Sequence, residues 1–190
     1  MYVLEGFWVG AIAVAGRVDF RALIERLGVP PAAGWSRADV TGCASEVAIE
    51  WLGARPVRTD QPFLTLADPK YPERLRGAAF PPPVLFYEGN LGLLDEKLVA
   101  VVGSRAATTT GLSIARRIGQ SLLGGGAGVI SGLARGIDTA AHEASLPRTV
   151  AVLGQGLGIA LHGQRGKLLE RMAAGEGLVI SELLPTWGGS

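Results

Sequence analysis

A chain of 190 residues allows one full domain, or one domain with a small appendage, and 48% hydrophobic content is enough for a well-buried core and too much for disorder. A formal net charge of +1 supplies no global basic field for nucleic acid, so a bound polyanion must be held by a local cluster of arginines and backbone N–H groups. The single Cys43 excludes an intrachain disulfide and reads as a buried thiol in a reducing compartment; with only His142 and His162 beside it, no metal site is expected.

Residues 1–15 are apolar apart from Glu5, carry no basic leader and are too short to cross a bilayer. A buried N-terminal helix or strand in a cytoplasmic protein is expected, with no membrane as partner. Residues 1–58 read as a small helical domain. One helix runs over 19–28, with Asp19 as cap and Gly28 as stop; another covers 44–52 and ends at Gly53.

Residues 59–190 read as a second domain. Short strands are predicted over 63–66 and 84–87, separated by a turn at 68–72 and a single helical turn at 73–75. From Leu98 the pattern becomes regular. A strand over 98–102 precedes a helix over 111–123, capped by the hydroxyls of Thr108, Thr109 and Thr110. Leu112, Ala115, Ile118, Leu122 and Leu123 form its core stripe. Strand 128–131, helix 138–145 with Asp138 as N-cap, strand 149–153, helix 167–173 and strand 178–181 follow, and the tail 182–190 reads as unstructured. β-branched runs alternating with helix-length segments predict an α/β fold: a Rossmann-like, mostly parallel sheet with helices on both faces.

In such a sheet the carboxyl ends of neighbouring strands open onto one crevice. Three glycine-bearing turns stand at those ends. The first is Gly103, Ser104 and Arg105. The second runs from Ser131 and Gly132 through Arg135 and Gly136 to Asp138, and the third holds Gly154, Gln155 and Gly156. Glycine lets backbone approach a ligand, free N–H groups at a helix start favour an anion, and each arginine offers a planar fork suited to phosphate. One such turn alone is as well explained as a tight loop, its arginine solvated or held by an acid such as Asp138. Two arginine turns on adjacent strands favour a shared site. His142 reads as a packed residue rather than an acid or base. The third turn is not a full G-x-G-x-x-G, because position 159 is Ile159, and no Walker loop is present, so no nucleotide cofactor is expected.

These residues, in this order, resemble the DNA-processing protein A family (DprA, also called Smf). The matching segments are Tyr71-Pro72-Glu73-Arg74-Leu75, Pro82-Pro83-Val84-Leu85-Phe86-Tyr87-Glu88-Gly89-Asn90, Val99-Ala100-Val101-Val102-Gly103-Ser104-Arg105, residues 131–142, residues 150–156 and Ser181-Glu182. The string Ser-Gly-Leu-Ala-Arg-Gly-Ile-Asp at 131–138 is long and specific. The resemblance implies a SAM-like helical domain ahead of an extended Rossmann-like domain that binds single-stranded DNA. It also implies protection of incoming DNA and RecA loading in natural transformation, a homodimer, and no catalysis. Gly103, Ser104, Arg105, Ser131, Gly132, Arg135, Gly136, Gly154, Gln155 and Gly156 are thereby implied to line a pocket for the DNA backbone.

Two departures stand out. Where the family carries a Tyr-Pro-Lys-like segment whose lysine contacts DNA, this chain has Leu161, His162 and Gly163, leaving Arg165 and Lys167 as the nearby cations. The chain also ends shortly after Ser181-Glu182, where the family continues with an Arg-Asn-Arg segment, so the domain reads as lacking its last elements. The competing expectation is a nucleotide-binding phosphoribohydrolase of the LOG type. It is the weaker one, because the third turn lacks that group's Pro-Gly-Gly-x-Gly-Thr sequence and no glutamate follows before Glu170.

Overall fold

The computed structural model describes residues 59–65, 68–78, 81–82, 84–183 and 185–188. The helices expected over 19–28 and 44–52, the boundary after residue 58, the apolar start and Cys43 lie outside the described residues. A boundary between Phe86 and Tyr87 separates two compact units; Glu182 and Leu183 go with the first and 185–188 with the second.

In the first unit, β1 (Phe63–Thr65) pairs antiparallel with the start of β2 (Val84–Gly89), with Leu64 opposite Leu85. The Phe63 and Phe86 rings meet at 5.8 Å, a tilted pair that adds to the buried area. The short helix α1 (Glu73–Arg76) follows a turn in which the Tyr71 hydroxyl donates to the Pro82 carbonyl at 2.7 Å. The Arg76 guanidinium lies 5.3 Å from the centre of the Tyr71 ring.

The second unit carries the predicted parallel sheet. Strands β3 (Leu98–Ala100), β4 (Gly128–Ser131), β5 (Thr149–Val152) and β6 (Leu178–Ser181) lie side by side in chain order, all parallel. Val129, Val150, Ala151, Leu178 and Val179 are buried, which is why β4, β5 and β6 read as continuous apolar runs rather than alternating ones, whereas β3 is half-buried to exposed. Between them run α2 (Thr109–Gly124), α3 (Ile137–Ser145) and α4 (Gly163–Arg171), the last continuing into a wider turn at Met172–Glu176. The connections alternate strand and helix as parallel pairing requires.

Three boundaries differ from expectation for physical reasons. Helix α2 starts at Thr109 because the Thr108 hydroxyl alone caps it, accepting the Gly111 N–H at 3.1 Å. Helix α4 begins four residues before the expected 167, behind an extended His162, because Gly163 and Gly166 hide the helical signal. The tail is not free either: the Gly156 and Gly158 N–H groups donate to the Trp187 and Pro185 carbonyls at 2.8 and 3.0 Å.

The stripe predicted for α2 is corrected as well. Ile118 is 42% exposed, and the residues buried on α2 are Ala115 and Gly119. A Cβ at Gly119 would lie 2.7 Å from the Ala141 carbonyl oxygen and 3.1 Å from the Ala144 side chain. Helices α2 and α3 therefore touch backbone to backbone, with Ala141 resting on Val101 and Val129 below. Substitution Gly119→Val sets a clash of about 1–3 kcal/mol against a helix-propensity gain of well under 1 kcal/mol. Urea denaturation is expected to show a lower midpoint with an unchanged slope.

Candidate nucleic-acid interface

The first two turns leave adjacent parallel strands, and one side chain ties them together. Asp138, on the first turn of α3 and 5% exposed, accepts the Gly103 N–H on one carboxylate oxygen and the Ala134 N–H on the other, each at 3.3 Å. It is not the N-cap that its position suggests: that place belongs to Gly136, at φ 86°, a backbone conformation natural to glycine. A Cβ at Gly136 would run into the Ser104 carbonyl, and one at Gly103 would lie 2.7 Å from the Ile137 side chain. The Ile137 N–H donates to the same Ser104 carbonyl at 3.3 Å. The turns carrying Arg105 and Arg135 thus abut through their backbones.

Several backbone donors that were expected to face an anion have protein partners instead. The Gly103 and Ala134 N–H groups point at Asp138, the Ile137 N–H at Ser104, and the Thr139 N–H at the Ala134 carbonyl at 3.2 Å. The Ser104 hydroxyl oxygen accepts the Ala106 N–H at 3.1 Å and keeps its proton for another acceptor. Arg105 and Arg135 are exposed and make no ion pair among the described residues, so Arg135 is not held by Asp138.

A cavity of about 370 Å³ opens beside the second turn, between α2, α3 and the start of α4. Arg135 and Arg165 both line it, and so does Arg116 of α2, a residue the sequence analysis did not single out. The Arg165 Nε–H donates to the Leu133 carbonyl at 2.7 Å, which fixes the guanidinium and leaves its outer N–H groups unengaged. Leu133 holds that carbonyl at φ 54°, the one positive value outside glycine among the described residues. The strain, roughly 1–2 kcal/mol, is offset by complete burial of the leucine side chain, about 2–3 kcal/mol.

The remaining predicted site residues are placed differently. Ser131 is buried and its hydroxyl donates to the Val101 carbonyl at 2.5 Å, a bond between β4 and the end of β3. Gly132 is exposed beside Asp138, where a Cβ would stand 3.5 Å from the carboxylate. Gly154 is exposed in open space. The Gln155 side chain donates to the Ile159 carbonyl at 3.0 Å, its own carbonyl accepts the Ser181 hydroxyl at 2.8 Å, and Gly156 is buried against the tail. None of the third turn lines the cavity, nor does exposed Lys167.

His142 is fully buried, with Nδ1 2.6 Å from the Thr149 hydroxyl, which itself donates to the Val129 carbonyl at 3.2 Å. Thr149 has one proton to give, so the imidazole carries its hydrogen on Nδ1. Its Nε2 has no hydrogen-bond partner among the described residues. Burial pushes the imidazole down from 6.5 to about 4, against the pull of the Asp138 carboxylate.

Two predictions follow from this wiring. Asp138→Ala removes two hydrogen bonds to a charged acceptor and is expected to cost about 2–4 kcal/mol in denaturant-measured stability. For His142, the unfolded chain takes up a proton as pH falls below 6.5 while the folded chain resists to about 4, so stability declines across that window, by at most ~3 kcal/mol. His142→Asn is expected to flatten the stability difference between pH 7 and pH 5 relative to wild type.

Residues 62–188 match the sequence model of the family described as DNA recombination-mediator protein A. Protein Smf of Synechocystis is 43% identical over 127 residues, 63% of this chain and 32% of that protein. The DNA processing protein DprA of Streptococcus pneumoniae is 40% identical over 127 residues, 65% of this chain and 44% of that protein. The chain therefore spans less than half the length of either curated relative. The X-ray structure of DNA processing protein A from Streptococcus pneumoniae superposes with a TM-score of 0.67 at 27% identity, covering 98% of this chain and 68% of that one. A structure of DNA processing protein A from Helicobacter pylori, described for its single-stranded DNA binding mode, gives 0.60 at 26% identity, covering 70% of this chain and 61% of that one.

Proposed function

This chain belongs to the DNA recombination-mediator protein A family, and we propose that it binds single-stranded DNA across the rim built by its first and second turns, without catalysis of its own. The observation that carries this reading is the contact of Gly136 with the Ser104–Arg105 backbone, which roots Arg105 and Arg135 in abutting loops. Two exposed guanidinium groups without ion pairs suit successive phosphates, and phosphate contacts hold a strand without reading its sequence. The Helicobacter pylori relative, described for binding single-stranded DNA, supports the same ligand class here.

Arg165 takes the part of the lysine missing at 161–163; neither Lys167 nor the third turn lines the cavity beside the second turn. Protection of the bound strand and its transfer to RecA, by a homodimer, belong to the same proposal. Their support is the family's description as a recombination mediator. The phosphoribohydrolase alternative gains nothing from His142, which is buried and uncharged at neutral pH and so has no reach as an acid or base.

A salt titration of binding to a labelled oligothymidylate tests the reading. Wild type is expected to show a linear fall of log affinity with log salt. Removing one phosphate contact is expected to lower that slope by about 0.7. Arg105→Ala is expected to weaken binding most, with Arg135→Ala also shallower in slope; an Arg105→Ala protein as tight as wild type overturns the assignment.

A further inference from the structure

The cavity beside the second turn gathers three guanidinium groups from three separate elements: Arg116 of α2, Arg135 of the turn and Arg165 of α4. Arg116 and Arg135 make no ion pair among the described residues, and Arg165 gives its Nε–H to a carbonyl, which leaves its charge unmatched. One acid, Glu143 of α3, lines the same wall, and its carboxylate accepts the Gln164 amide at 2.5 Å. Three positive groups against one negative group leave the cavity with a surplus of positive charge. Like charges in a confined space repel one another, and a bound anion relieves that repulsion.

The cavity has the dimensions for more than a lone ion. About 370 Å³ falls at the small end of ligand pockets, which run from about 300 to 1,000 Å³. Leu112, one turn before Arg116 on α2, adds an apolar side chain to the lining. Guanidinium forks with an apolar side chain beside them suit a phosphoryl group carried by a larger organic group.

We propose that Arg116, Arg135 and Arg165 form a phosphoryl seat in which Arg116 is a binding residue and Glu143 a built-in counter-charge that holds affinity down. The proposal rests on the strand-binding reading for its source of phosphate, the internucleotide diester next to the one at Arg105; a free nucleoside monophosphate offers the same chemistry. Glu143 sets the sign of a second test, because a carboxylate beside the seat repels every phosphoryl oxygen that enters. It also separates charge from folding: one substitution is expected to weaken the ligand and the other to strengthen it.

The experiment compares the full chain with its Arg116→Ala and Glu143→Gln forms, titrated with labelled oligothymidylate and, separately, with thymidine monophosphate. The expected result is an Arg116→Ala salt slope shallower by about 0.7 with affinity down several-fold, and a Glu143→Gln affinity up by a similar factor. Wild type that binds the oligonucleotide while both variants match it in affinity and slope overturns the seat and leaves the strand-binding reading standing. Wild type that binds no oligonucleotide overturns the strand-binding reading. In that event, monophosphate binding that weakens in Arg116→Ala and tightens in Glu143→Gln supports the seat for a free nucleotide, and absence of monophosphate binding overturns it.

Discussion

The Asp138 carboxylate is the interaction on which the arrangement depends. Its two oxygens reach the first turn at Gly103 and the second at Ala134, so loops from two strands share one anion inside the protein. A free helix start and glycine-rich turns would otherwise present these N–H groups to solvent, where phosphate binds. Here an internal carboxylate answers two of them, at 5% exposure. The consequence is a division of labour: backbone amides fix the loops, and side-chain guanidinium groups face outward.

The second constraint is the closeness of α2 and α3. Gly119 and Ala115 on one helix against Ala141 and Ala144 on the other let the backbones approach, and the parallel order of β3, β4 and β5 beneath fixes their direction. That approach is what sets Arg116 on the same wall as Arg135 and Glu143. A wider helix pair would carry Arg116 away from the second turn. Glycine at 119, unfavourable for helix propensity, is explained by the closeness of the Ala141 carbonyl and the Ala144 side chain.

The parallel strands were the legible part. The run Leu178–Ser181 is apolar because it is buried along its whole length, as most of Thr149–Val152 is, and the resulting pattern survives in the sequence alone. The second turn was legible for a different reason, since its spacing of glycine, arginine and aspartate is specific. The role of Asp138 was not: an acid at the first turn of a helix reads as a cap, and nothing local says that its oxygens turn toward residue 103, thirty-five positions earlier. Arg116 escaped because a charged residue on an amphipathic helix reads as solvated until the neighbouring helix is in place. The start of α4 escaped because Gly163 and Gly166 carry poor helix propensity, although Arg165 was already legible as a nearby cation. The tail read as loose because the N–H donors to its carbonyls, those of Gly156 and Gly158, lie far back in the chain.

Charge and protonation are separated in this molecule. Arginine keeps its positive charge across the physiological range, so attraction of a polyanion to guanidinium groups responds to salt and hardly to pH. The buried imidazole of His142 responds to pH and lies out of contact with solvent. It sits on α3 four residues after Asp138, so acid that protonates it works against the helix that joins the two turns. Acid that unfolds the chain through this imidazole leaves the guanidinium groups charged, so the fold gives way to pH while the arginines do not.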